Sequence, residues 1–353
     1  MVRIGIIGLG FMGYTHFEGA RKLKGGKVTA IATRNPKKLA GDWTGIQGNF
    51  GPPGGHVDLS KVKKYEDYHD LLNDPDIDLI DICLPTEHHE TVTLEAIKAG
   101  KNVLVEKPIA VDMQAANRMV KAAEKAGTLL MVAHVLPFFP EFNFAAECIS
   151  SGKYGKLLAA HLRRVITPPK WSRDMADFRR LGGWGIDLHI HDNHFIGAVC
   201  GVPEKVFSRG ILRKGLVNHV HSQYVYDDPD LAVSCVSGGI AAGGLQFGHG
   251  FEMYFEKATV VYDAGTYGVG KNEEWVVNRP LSLITDDGKV REPKLKGGTE
   301  WCAAFTAELQ MAINGVKAGE EPRMLSGELA RDALKLCYAE AKSIDTGRAV
   351  KVK

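Results

Sequence analysis

The chain has 353 residues, 44% of them hydrophobic and 24% charged, with a formal net charge of +2 at pH 7. This is an ordinary globular composition, long enough for two domains, and the near-neutral balance excludes a polyanionic partner such as nucleic acid. No apolar run reaches the roughly 18 residues of a membrane helix, and a strand beginning at Val2 leaves no room for a signal peptide. Six cysteines (Cys83, Cys148, Cys200, Cys235, Cys302 and Cys337) lie far apart without C-x-x-C spacing, which predicts reduced, mostly buried thiols and a cytoplasmic protein.

Val2–Ile7 reads as a buried strand and runs straight into Gly8-Leu9-Gly10-Phe11-Met12-Gly13. Beyond it Met12, His16, Ala20 and Leu23 recur at helical spacing. Strand, G-x-G-x-x-G, helix is the dinucleotide-binding fingerprint, its glycines serving a tight turn, close approach to a pyrophosphate and helix–strand packing. Val28–Ala32 is a second strand. At its end, where an acidic side chain would hold the ribose 2′-hydroxyl of NAD, stand Thr33 and Arg34. A guanidinium there accepts a 2′-phosphate through charge-assisted hydrogen bonds, so the pair predicts a preference for NADP over NAD.

Residues 41–65, rich in glycine and proline, read as a long loop, followed by a short helix at 65–72 and a strand over 76–84. That strand stops at Pro85-Thr86-Glu87-His88-His89. A helix over 90–99 closed by Gly100, a strand at 102–105, the tripeptide Glu106-Lys107-Pro108, a helix over 112–126 and a strand at 129–133 complete the first half. Alternating strands and helices predict a parallel sheet covered on both faces, with ligands outside the carboxyl ends of the strands. Arg34, Pro85, His89, Glu106, Lys107 and His134 all fall at or just past such ends.

Three stretches, Gly8–Gly13, Leu84-Pro85-Thr86-x-x-His89 and Gly100-Lys101-x-Val103-Leu104-Val105-Glu106-Lys107-Pro108, resemble in order and spacing the glucose–fructose oxidoreductase / inositol dehydrogenase (Gfo/Idh/MocA) family. The resemblance extends over most of the chain. It implies an α/β protein with an N-terminal Rossmann domain and a C-terminal α+β domain whose large, open, mostly antiparallel sheet packs against a partner subunit. The division is expected at 1–133 and 134–353, with the C-terminal helices as candidates to return to the first domain. The expected assembly is a homodimer or homotetramer through that sheet.

From His134 on, the pattern changes to a helix near 141–151 and strands at 156–165, 205–212, 222–227, 231–237, 244–248 and 251–263. Helices at about 300–315 and 326–344 and a tail strand at 349–352 end the chain. Gly182-Gly183-Trp184-Gly185-Ile186-Asp187-Leu188-His189-Ile190-His191 carries the family's pattern of glycines, Asp and, four residues on, His. On one helix that spacing puts Asp187 and His191 on one face. His189 stands where the family usually has glycine, and His194 lies one turn beyond His191.

The resemblance implies a hydride exchanged between a nicotinamide and a secondary alcohol or ketone of a sugar, cyclitol or related polyol. His191 suits the general base, Asp187 its orientation, and Lys107 the stabilisation of charge on the reacting oxygen. The cofactor contacts are expected from Gly8, Gly10, Phe11, Met12, Gly13, Thr33, Arg34, Leu84, Pro85, His89, Glu106 and Lys107. His134, Arg163, Trp171 and Arg179 are added to Asp187 and His191 as candidate substrate contacts. Asp187, His191 and His194 also fit a 2-His-1-carboxylate set, but the family mechanism needs no metal and none is expected. Two alternatives stay open: redox-neutral sugar chemistry with a retained cofactor, and a non-catalytic NADP(H) sensor.

Overall fold

The computed structural model describes residues 1–48, 50–168, 182–298 and 300–352, and the chain divides into two compact units. The first unites Met1–Phe139 with Gly297–Arg331; the second unites Pro140–Lys296 with Asp332–Lys353. Among the described residues no helix is long and apolar enough to cross a membrane.

The first unit holds β1 (Val2–Ile7), α1 (Phe11–Ala20), β2 (Gly26–Ala32), α2 (Pro36–Leu39), β3 (Lys63–Tyr65), α3 (Tyr68–Leu72), β4 (Leu79–Ile82), α4 (His89–Lys98), β5 (Asn102–Glu106), α5 (Met113–Ala126) and β6 (Leu130–Ala133). The six strands form one parallel sheet in the order β3-β2-β1-β4-β5-β6. Ile4, Ile6, Leu79, Ile80, Leu104 and Val105 are fully buried, which is why these strands read as continuous apolar runs rather than alternating ones. The strand order reverses direction between β1 and β4, and in such sheets the crevice beyond that point receives the ligand. Side chains set the helix starts. Asn35 caps α2, Asp67 caps α3, and Asp112 accepts the Ala115 N–H at 2.9 Å to open α5, which Gly127 closes at φ +67°.

The segment 41–62 is less of a free loop than its composition suggests. Trp43 is fully buried in it, donates its indole N–H to the Lys38 carbonyl and packs edge-on against Phe17. The edge strand β3 follows it, over the last residues of the expected 41–65 loop. Late in the chain α9 (Ala303–Ala318) joins the same core through Leu309, Ala312 and Ile313, and its Thr306 hydroxyl donates to the Gly19 carbonyl of α1. A Cβ at Gly26 would stand 2.2 Å from Ile313, so this close packing needs the glycine.

The second unit contains α6 (Pro140–Ser151), β7 (Leu157–Ile166), α7 (Trp184–Asp187), α8 (Ile190–Val199), β8 (Lys205–Arg213), β9 (Leu216–Val225), β10 (Ala232–Gly239), β11 (Leu245–Phe255), β12 (Ala258–Tyr267), β13 (Glu274–Thr285), β14 (Val290–Arg291) and β15 (Val350–Lys351). The helix α10 (Gly327–Thr346) belongs to it from Asp332 on. The nine strands form one mixed sheet, β14-β13-β12-β11-β7-β10-β9-β8-β15, antiparallel at every neighbouring pair but β7–β10. Three sequence expectations change here. β9 begins at Leu216 rather than 222, and β13 and β14 stand where no strand is expected. The break expected at 249–250 lies instead at Glu256-Lys257, between β11 and β12. Gly248 and Gly250 mimic a turn in the sequence, but they mark close approach. A Cβ at Gly250 would lie 2.4 Å from the Tyr262 carbonyl of the neighbouring strand.

Candidate active site

The glycine loop after β1 shows three different needs. Gly8 has φ +95°, and a Cβ on it would lie 2.6 Å from the Cys83 carbonyl. A Cβ on Gly13 would lie 2.0 Å from the Gly8 carbonyl, so α1 can pack on the loop only without one. A Cβ on Gly10 would meet no atom within 4 Å; this is the open position, at the N-terminus of α1, whose first turn carries no acidic side chain. An exposed glycine backbone at a positive helix end fits the pyrophosphate of a dinucleotide. Lys38 adds a cation, its ammonium donating to the Leu9 carbonyl in the loop, and burial lowers its pKa. At the end of β2, Thr33 is half-buried and Arg34 exposed; Asn35 turns inward to cap α2.

His89 ties two strand ends together. It is buried with Nε2 2.8 Å from the Leu84 carbonyl after β4 and Nδ1 2.9 Å from the Pro108 carbonyl after β5. Burial lowers its pKa, and a neutral ring donates to one of these carbonyls at a time. Pro85 is exposed beside it, and His134 is buried just past β6.

Lys107 follows β5 half-buried, and its backbone N–H donates to Glu106 Oε2 at 3.0 Å. Glu106 Oε1 lies 3.1 Å from Nε2 of His16, whose Nδ1 lies 2.9 Å from Asp81 on β4. Burial opposes a charge on His16, but Asp81, aided by Cys83, outweighs it and holds the imidazole well above the ordinary histidine range. Glu308 of α9 approaches to 3.9 Å. Burial pushes its carboxyl well above the usual range. An imidazolium between two carboxylates therefore lies directly beneath the peptide that carries Lys107. The sequence hinted at this only through two misfits, His16 on the apolar stripe of α1 and Asp81 inside the strand Leu79-Ile80-Asp81-Ile82.

In the second unit Gly183, at φ +80°, caps α7, and Gly185 and Gly239 leave room for the packing of Trp184 and Val217. The single helix expected to carry Asp187 and His191 is interrupted. The N–H groups of Leu188 and His189 both donate to the Trp184 carbonyl, the second across five residues, and α8 starts only at Ile190. Asp187 thus ends one helix and His191 lies in the first turn of the next, both half-buried. With the helix broken, the i, i+4, i+7 face shared with His194 is lost as well, and His194 is fully buried.

His189 is also fully buried, with Nε2 2.9 Å from Glu340 of α10. Arg164 of β7 donates to both oxygens of Asp192, at 3.0 and 3.1 Å. Arg163, on the opposite face of β7, pairs with Asp263 of β12, away from the face that meets Asp192. Trp171 and Arg179 lie outside the described residues.

Among the described residues, two clusters bring three potential metal ligands together, His16/Asp81/Cys83 and His189/Asp192/Cys235. Both are organised as ion pairs. The carboxylates hold protonated imidazole or guanidinium at hydrogen-bond distance, and burial raises both thiol pKa values, away from the thiolate a metal binds.

Residues 2–134 match the model of an oxidoreductase family with an NAD-binding Rossmann fold, Gfo/Idh/MocA. The chain's first unit thus carries the NAD-binding Rossmann domain of the Gfo/Idh/MocA family. Myo-inositol 2-dehydrogenase of Thermotoga maritima is 27% identical to the chain over 359 aligned positions, covering 99% of this chain and 98% of the relative. The 2,7-anhydro-N-acetylneuraminate hydratase of Mediterraneibacter gnavus is 26% identical, over 81% of this chain and 83% of the relative. The crystal structure of an oxidoreductase from Agrobacterium radiobacter in complex with NAD+, L-tartaric acid and magnesium superposes with a TM-score of 0.76 at 17% identity, over 99% of this chain and 98% of the other. The protein is an oxidoreductase, with the Rossmann unit and mixed-sheet unit described above.

Proposed function

We propose that the protein is an NAD(P)-dependent dehydrogenase that exchanges a hydride with a secondary alcohol or ketone of a sugar or cyclitol. The observation that carries the reading is the pairing of a dinucleotide cradle, open at Gly10 and closed around Gly8 and Gly13, with a lysine held after β5 through Glu106. The whole-length likeness to a myo-inositol dehydrogenase supports the substrate class. The nicotinamide, when bound, supplies the hydride chemistry. The chain supplies the rest. His191 takes the hydroxyl proton, Asp187 orients it, and Lys107 donates to the reacting oxygen as charge develops there. His134 is a further candidate for the substrate's hydroxyls.

Thr33 and Arg34, with no carboxylate between them and α2, support NADP as the preferred cofactor. Six free cysteines, five of them buried, suit a reducing cytoplasm. The deciding experiment is turnover on myo-inositol, scyllo-inositol, common sugars and their keto forms, followed at the nicotinamide absorbance band with each cofactor. The reading expects one polyol class oxidised, with higher kcat/KM for NADP. Inertness across the panel overturns the dehydrogenase reading, and a clear NAD preference overturns the role of Arg34.

A second reading has one observation in its favour, the hydratase among the relatives. In that case the cofactor co-purifies and is regenerated within each cycle, and net nicotinamide reduction on the panel rules it out.

A further inference from the structure

The second unit buries four charged side chains around the segment that joins α7 to α8: Arg164, His189, Asp192 and Glu340. That segment is loosely specified by its backbone, because Leu188 and His189 share one acceptor, the Trp184 carbonyl, where a continuous helix would give each its own. Its geometry must therefore come from side chains. Glu340 gathers donors from three places: His189 in the break at 2.9 Å, Asn193 in α8 at 2.7 Å, and Ser222 and Tyr224 in β9 at 2.6 and 3.1 Å. Asp192 is held separately by Arg164 of β7. Around His191, the residues two before and two after it are thus both tied to Glu340 of α10, and the residue one after it to Arg164 of β7.

We propose that His189 and Glu340 are positioning residues: their buried pair fixes the break between α7 and α8, and with it the placement of Asp187 relative to His191. The inference rests on the proposed roles of Asp187 and His191. Stability alone does not explain the pair, since a buried ion pair is often matched or bettered by apolar residues of similar volume. Its distinctive property is a cross-tie of fixed geometry, and small misplacements of reacting groups are costly in rate.

Two double variants separate positioning from stability. His189→Gln/Glu340→Gln removes both charges and keeps an amide–amide hydrogen bond across the break. His189→Leu/Glu340→Leu removes charge and tie together, while Asn193, Ser222 and Tyr224 keep other partners in Cys337, Ser208 and one another. With the best polyol of the panel, the Gln pair is expected to keep kcat within about threefold, and the Leu pair to lose at least about tenfold. Cofactor affinity, read by NADPH fluorescence, stays within about twofold in both, because the dinucleotide cradle lies in the other unit. A Leu pair with wild-type kcat, or a Gln pair as slow as the Leu pair, overturns the proposal. If the Leu pair does not fold, His189→Leu alone is read against the same thresholds. His191→Ala serves as the control. Full activity there sinks the roles on which the inference rests, whereas an inactive His191→Ala beside a fully active Leu pair sinks the positioning role alone.

Discussion

At the scale of single residues, Lys107 and His16 illustrate how a surface-facing group depends on a buried one. Lys107 hangs from a peptide whose N–H is held by Glu106, and Glu106 meets an imidazolium that Asp81 keeps charged. Removing the Asp81 charge leaves His16 and Glu106 buried with an incomplete set of counter-charges. Breaking one partner out of a buried pair costs about 3–5 kcal/mol, so Asp81→Asn is expected to lose stability of that order in urea unfolding. A loss below about 1 kcal/mol, the ordinary size for an exposed pair, would contradict the charge assignment. The same cluster shows which residues the sequence could not sort. His16 reads as a packing residue, because nothing local reveals that β4, β5 and α9 bring Asp81, Glu106 and Glu308 onto its ring.

At the scale of elements, what was readable was what is local. The parallel sheet of the first unit follows from apolar runs, caps and a glycine loop, all set within a few residues of one another. The break between α7 and α8 was not readable, since it depends on Trp184 packing against β9 and β10 and on a glutamate 151 residues beyond His189. β13 gives a weak strand signal because its first half is largely exposed, Arg279 pairs with Glu252 rather than packing inward, and Pro280 interrupts the run. The His189–Glu340 tie also predicts a pH dependence. Burial opposes the charge on His189, but Glu340 outweighs it, so the folded pKa is raised above the ordinary value of about 6.5. The stabilisation is then full below that value and fades as pH rises through the folded one. The difference in unfolding midpoint between the wild type and His189→Gln should narrow with rising pH above about 6.5. A gap that stays constant over that range would mean His189 is neutral in the folded protein.

At the scale of the whole molecule, assembly and chemistry can be tested separately. Leu158, Ile211, Val225, Tyr254, Trp275 and Val277, large apolar side chains of the second unit's strands, are exposed. Apolar side chains gathered on one sheet are a common mark of a subunit interface. A homodimer or homotetramer is therefore expected in sedimentation at micromolar concentration, and a monomer there would contradict it. The proposed division of labour puts the cofactor on the first unit and proton transfer on the second. Its chemistry is tested most directly by single-turnover reduction of NADP+ by the best polyol, in the wild type, Lys107→Met and His191→Ala. Both variants should bind cofactor normally and reduce it at least about a hundredfold more slowly; a wild-type rate in either would contradict the proposed mechanism.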